Sequence, residues 1–197
     1  MLAPGDFKLS INHLLVVTAA YIAAFSLNLG FAVPLQKVLL PSFPATIWLL
    51  YLPHGVRVIS FYFFGWKGVL YLMPGALIMT FLATASGIPF LWYPTIAGII
   101  ACYVGFKAGT LLLGESTPSF NKSKWKFFLI TGTISSLVNA ATLTFLRNPD
   151  EILTFVMGYM IGDVIGLMIV FYALIVAFRF ARNLSKIERL NQSSPND

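Results

Sequence analysis

Asp163 is the one carboxylate set deep in an apolar run of this chain; the other six of its seven acidic residues fall in loops or near the ends. A charge at the centre of a membrane helix costs at least about 2.5–3.5 kcal/mol, so it turns inward and finds a partner. Arg57 and His54 are the other ionisable groups at comparable depth, both in the segment YLPHGVRVISFYFF. A pairing of Asp163 with Arg57 is the simplest way to satisfy both charges. Such a group can act as a buried ion pair that orients helices, or as a ligand or proton site. Tyr159 precedes Asp163 by four residues and can reach its carboxylate along one helix face. Asn139, in the polar run TGTISSLVNAATLTF, completes a candidate ligand or signal site of Asp163, Arg57, His54, Tyr159 and Asn139.

The residues around the acid read GYMIGDVIG, and Gly158, Gly162 and Gly166 recur every fourth position. Small residues at that spacing form a smooth stripe that lets another backbone come close. Pro53-His54-Gly55 breaks or kinks its segment, because proline removes a backbone donor and clashes with the preceding turn. Broken helices at membrane depth survive only where protein or a watery cavity receives the freed polar groups. Gly158, Gly162, Gly166, Pro53 and Gly55 are therefore expected to serve helix packing. Ser135 and Asn139 share one helix face, as do Gly132, Ser136 and Ala140; interhelical hydrogen bonds or the lining of a small-molecule cavity would both use them. His54 at the break could respond to protons. Neither it nor His13, on another segment, nor the single Cys102 makes a metal site by itself, so no metal and no cofactor is expected. Cys102 reads as a small packing residue beside Gly98 and Gly105.

The elements that must carry these residues are membrane helices. Of 197 residues, 58% are hydrophobic and only 10% charged, with a mean hydropathy of +0.82. Soluble domains carry about 25% charged residues, so the solvent of this chain is lipid. Six apolar segments appear, at about Ile11–Val33, Ala45–Phe64, Val69–Ala85, Phe90–Leu113, Phe127–Leu146 and Ile152–Phe178. Each is near the ~20 residues that cross a hydrocarbon core. The first is too long for a signal-peptide core and lacks a cleavage signature before Pro34. The expected fold is all-α, a polytopic bundle of about six transmembrane helices over residues 1–180. A basic-to-polar cytoplasmic tail over residues 181–197 follows.

Charge orients the bundle. Lys8, Lys67, Lys107, Lys122, Lys124, Lys126, Arg179, Arg182, Lys186 and Arg189 fall on one side of a six-pass chain. Only Lys37 and Arg147 fall on the other, the latter beside Asp150 and Glu151. The positive-inside rule then puts both termini in the cytoplasm. The cations at the tail suit an anionic inner leaflet. The net charge of +6 therefore reflects membrane orientation, and no nucleic-acid partner is expected. There is no phosphate-binding glycine loop, HExxH, GxSxG or paired-acid motif, which argues against an enzyme.

YLPHGVRVISFYFFGWKGVLYLMPGALIMTF, TIAGIIACYVGFKAGTLLLG and GDVIGLMIVFYALIV resemble, over roughly Ala45 to Phe178, the MASE-type membrane-associated sensor domains. Pro53, Gly55, Gly65, Gly162, Asp163 and Gly166 match that family's pattern. Leu52 stands where a second proline is usual, and Tyr172 where a proline is common. The resemblance implies a bacterial inner-membrane input module, here stand-alone and without an output domain, acting through a separate output protein. A substrate-binding component of a vitamin-type uptake transporter, or a structural subunit of a membrane complex, has the same size and topology.

Overall fold

A computed structural model of the chain describes residues 10–43, 47–85, 92–114 and 125–193, with side chains described as far as Leu184. Among these residues the chain is all-helical, with α1 Ile11–Leu39, α2 Leu52–Phe64, α3 Lys67–Ala85, α4 Trp92–Leu113, α5 Trp125–Arg147 and α6 Ile152–Ser193. All but α2 are long and apolar enough to cross a membrane. The chain is a multi-pass helical membrane protein. Large apolar side chains cover its outside, Leu111 being 83% and Phe145 88% exposed. That is the expected surface of a bundle whose solvent is hydrocarbon.

The helices run alternately up and down. At one end, the backbone amide of Ser10 donates to Tyr71 Oη at 3.2 Å, and the His13 ring stacks 5.0 Å from Phe64. This gathers the start of α1, the end of α2 and the start of α3. Gly105 and Gly109 of α4 lie against Ser135 and Thr131 of α5, and both pairs are too close for an added methyl. On α6, Ile161, Ile165 and Ile169 are exposed while Gly158, Gly162, Asp163 and Gly166 are buried. One face of that helix therefore meets lipid and the other meets protein.

Two segments differ from the sequence reading. The first apolar helix does not stop before Pro34; it continues to Leu39 through a π-helical turn at Asn28–Ala32. The wider turn accommodates the proline ring without ending the helix. The second segment is not a kinked spanning helix. Residues 47–51 run non-helically, and α2 begins at Leu52 with Pro53 in its first turn, where a missing N–H costs nothing. At 13 residues, α2 is about 20 Å long, well short of a ~30 Å core. Its residues from Pro53 to Tyr62 are all buried. Gly65 ends it at φ 55° and ψ −136°, a conformation open essentially to glycine alone. Asn148, at φ 44°, ends α5 in the same left-handed sense, with a proline following. Beyond its apolar stretch, α6 stays helical past position 180 to Ser193. Ala45, Phe90, Lys8, Lys122, Lys124 and the side chains of Lys186 and Arg189 lie outside the described residues.

Candidate functional site

A non-helical run at membrane depth must find partners for its backbone. Here other elements supply them. Gln36 Nε2 donates to the carbonyl of Ile47 at 2.7 Å, and its Oε1 accepts from the amide of Leu49 at 2.8 Å. One side-chain amide thus pairs with the run as a neighbouring strand would. The amide of Tyr51 donates to the Gly162 carbonyl at 3.0 Å, and that of Leu52 to Asn28 Oδ1 at 3.2 Å. The glycine stripe of α6 receives this run. Gly158 faces Ile47, Gly162 faces the Trp48 carbonyl, and Gly166 faces the Tyr51 carbonyl. Gly55 in turn packs on the backbone and side chains of Gly166, Leu167 and Val170. The small residues admit a non-helical backbone and the start of a half-helix, a closer approach than helix-on-helix packing needs.

This arrangement delivers His54 and Arg57 to the centre of the bundle. Asp163 pairs with His54, Oδ2 lying 3.4 Å from Nδ1 with both side chains only 1% exposed. Of the two ionisable groups expected at that depth, His54 meets the acid and Arg57, the simpler pairing, does not: among the described residues no carboxylate lies within 4.0 Å of its guanidinium. His54 and Arg57 are one turn apart on α2, and the first turn is the one that packs on Asp163. The other ring nitrogen, Nε2, sits 3.3 Å from the Gly132 carbonyl. A carbonyl only accepts, so Nε2 carries a proton. Nδ1 is the nitrogen turned toward the carboxylate. The Cys102 thiol is 3.7 Å from the same nitrogen.

Arg57 is held by aromatic residues instead. Its Nη2 donates to Tyr21 Oη at 2.6 Å and to Tyr51 Oη at 3.2 Å. The guanidinium carbon lies 5.4 Å and 5.5 Å from those two ring centroids, within cation–π range. Gly98 of α4 leaves room for the group, since a methyl there would meet Nη1. Arg57 is 3% exposed and its Nε has no partner. Phenol oxygens and ring faces soften the cost of a buried cation but leave its charge uncompensated. Uncompensated buried charges cost on the order of 3–5 kcal/mol.

A cavity of about 470 Å³ opens beside these groups, within the size range of small-molecule sites. Arg57, Asp163, Asn139, Tyr51, Tyr159 and Arg147 supply its polar wall, and Phe25, Trp48 and Leu143 belong to its apolar one. The rings of Phe25, Trp48 and Tyr51 contact one another, with centroids 5.6 to 6.3 Å apart. Lys37, Ala83, Pro94 and Arg147 also line the cavity. They come from the ends of α1, α3 and α5 and the start of α4, so the cavity lies toward the bundle end opposite His13. Tyr159 does not turn its hydroxyl to Asp163; that oxygen accepts from Arg147 Nη1 at 3.4 Å.

All five site residues expected from sequence gather in this region. Four of them, Asp163, Arg57, Tyr159 and Asn139, line the cavity, and His54 braces Asp163 from behind. Tyr21, Tyr51, Asn28 and Gln36 were not anticipated. The two amides were signals, being polar side chains in or just beyond an apolar run. No group of three His, Cys, Asp or Glu residues among the described ones could hold a metal. No protein-family model matches the chain, and neither a curated protein nor a solved structure shows significant similarity to it.

Proposed function

We propose that this chain is a non-enzymatic sensor-like membrane module. Its central cavity receives a small ligand, and α6 transmits the change to a separate output protein. The observation that carries the reading is the continuity of α6. Asp163 lines the cavity, and the same helix runs without interruption to Ser193. At 42 residues it is about 63 Å long, roughly twice the hydrocarbon thickness. A displacement at the cavity wall is therefore also a displacement of the helix end outside the bilayer. The resemblance to MASE-type domains supports the same role.

The basic residues support a bacterial inner-membrane orientation with both termini cytoplasmic. Lys67, Lys107, Lys126, Arg179 and Arg182 lie toward the His13 end, against Lys37 and Arg147 at the other. The cavity then faces the outside and the α6 extension the cytoplasm.

A thermal-shift screen of the purified full chain against a small-metabolite library tests the reading. At least one compound should stabilise the wild type and fail on Asp163→Asn. Spin labels on the α4 and α6 ends, near Lys107 and Arg182, should change their separation when it binds, because a ligand shifts a bundle only by binding one arrangement better. Stabilisation without movement of α6 would instead favour an uptake component. No stabilising compound, together with a tightly co-purifying membrane complex, would make the chain a structural subunit.

A further inference from the structure

Resting on that ligand-receiving role, we infer that the cavity recognises an organic anion, a carboxylate or similar acid group borne on an apolar or aromatic body. The acid group sits against Arg57.

The inference begins with charge. Lys37, Arg57 and Arg147 line the cavity, and Asp163 is the only acid among the described residues that does. Asp163 already faces His54 at 3.4 Å. Arg57 is left as a cation, 3% exposed, whose hydrogen-bond partners are two neutral phenols. An anion in the cavity supplies the missing countercharge. A guanidinium is the side chain best matched to a planar acid, through paired N–H donors.

Unpartnered atoms point the same way. Arg57 Nε and Arg147 Nε are buried donors with no acceptor, while Asn139 Oδ1 is a buried acceptor with no donor. The two donors suit an acid group, and the acceptor suits a hydroxyl or amide N–H on the same ligand. The facing rings of Phe25, Trp48 and Tyr51 suit an apolar body. A purely inorganic anion would leave that wall unused. The same chemistry could come from a water-soluble aromatic acid or from a fatty acid in the bilayer.

The test uses the full chain in neutral phosphatidylcholine nanodiscs and follows the fluorescence of Trp48, with Trp48→Phe as the control that assigns the signal. The probes are 3-phenylpropionate, its neutral isostere 3-phenylpropanamide, the cation 3-phenylpropylamine, and dodecanoate against dodecanol. An acid should bind at least about tenfold more tightly than its neutral counterpart, as expected of a charge-assisted pair. Response to phenylpropionate identifies a soluble source, and response to dodecanoate alone a membrane one. Arg57→Gln should erase the preference for the acid, whereas Arg57→Lys should keep part of it. Should Arg57→Gln fail to insert, Arg147→Gln should still weaken the acid several-fold. Equal or tighter binding of the amide, alcohol or amine overturns the anion while leaving a ligand-binding module. Silence from every probe overturns it too, unless the hits of the metabolite screen are themselves anions. Silence from probes and screen alike removes both readings.

Discussion

The amide of Tyr51 donates to the carbonyl of Gly162 at 3.0 Å, so α6 holds the non-helical run by a backbone bond one residue before the acid it presents to the cavity. Gly162 itself lies against the Trp48 carbonyl, with no space for a side chain. Gly162→Leu should therefore expel the run from its groove and cost more than about 3 kcal/mol, as overpacking with loss of buried bonds does. Asp163→Asn retains shape and should cost less. Unfolding of the two variants in mixed micelles compares them directly, and a larger loss for Asp163→Asn would contradict the assignment of packing to the glycine.

Gln36 completes two backbone groups with one side chain. Gln36→Leu leaves the Leu49 amide and Ile47 carbonyl without partners, at about 1–3 kcal/mol each. Gln36→Glu keeps the acceptor and loses the donor, so its thermal midpoint should fall between the wild type and the leucine variant. Midpoints in the same detergent give the order.

Cys102 is fully buried and is the sole cysteine of the chain. N-ethylmaleimide should leave the folded protein unlabelled and modify it fully after SDS denaturation. Mass spectrometry reads this without ambiguity of site. Rapid labelling of the folded form would mean that the packing between α2, α4 and α5 is open.

Orientation is checked by reporter fusion. A periplasm-active phosphatase joined after Asn183 should be silent, and the same enzyme joined near Asn148 should be active. The reverse pattern would invert the bundle and place the cavity on the cytoplasmic side.

The outline of this protein was legible because hydropathy over ~20 residues is a strong signal and a lone acid such as Asp163 stands out against it. The division of the second segment was not. Pro53 in an apolar run fits a kink as well as a helix start, and the choice depended on Gln36 and Asn28, which reach the run from another helix. The partner of Asp163 was ambiguous for a similar reason. His54 and Arg57 lie on one helix three residues apart, and which of them meets the acid depends on how deeply α2 enters the groove of α6. Gly55 and Gly166 set that depth by contact. The aromatic seat of Arg57 joins Tyr21 and Tyr51 across two elements, a convergence that no spacing along the chain encodes.

On the proposed sensor reading, the unbroken course of α6 makes angle the quantity that the cavity would communicate. A straight helix transmits rotation as faithfully as translation, and each residue advances its azimuth by about 100°. One residue inserted between Phe178 and Arg182 would turn everything beyond it by about 100°. Seven inserted residues return it to within about 20° of its starting direction. A partner that reads this helix would thus be deaf to the first insertion and hear the second, although neither touches the cavity.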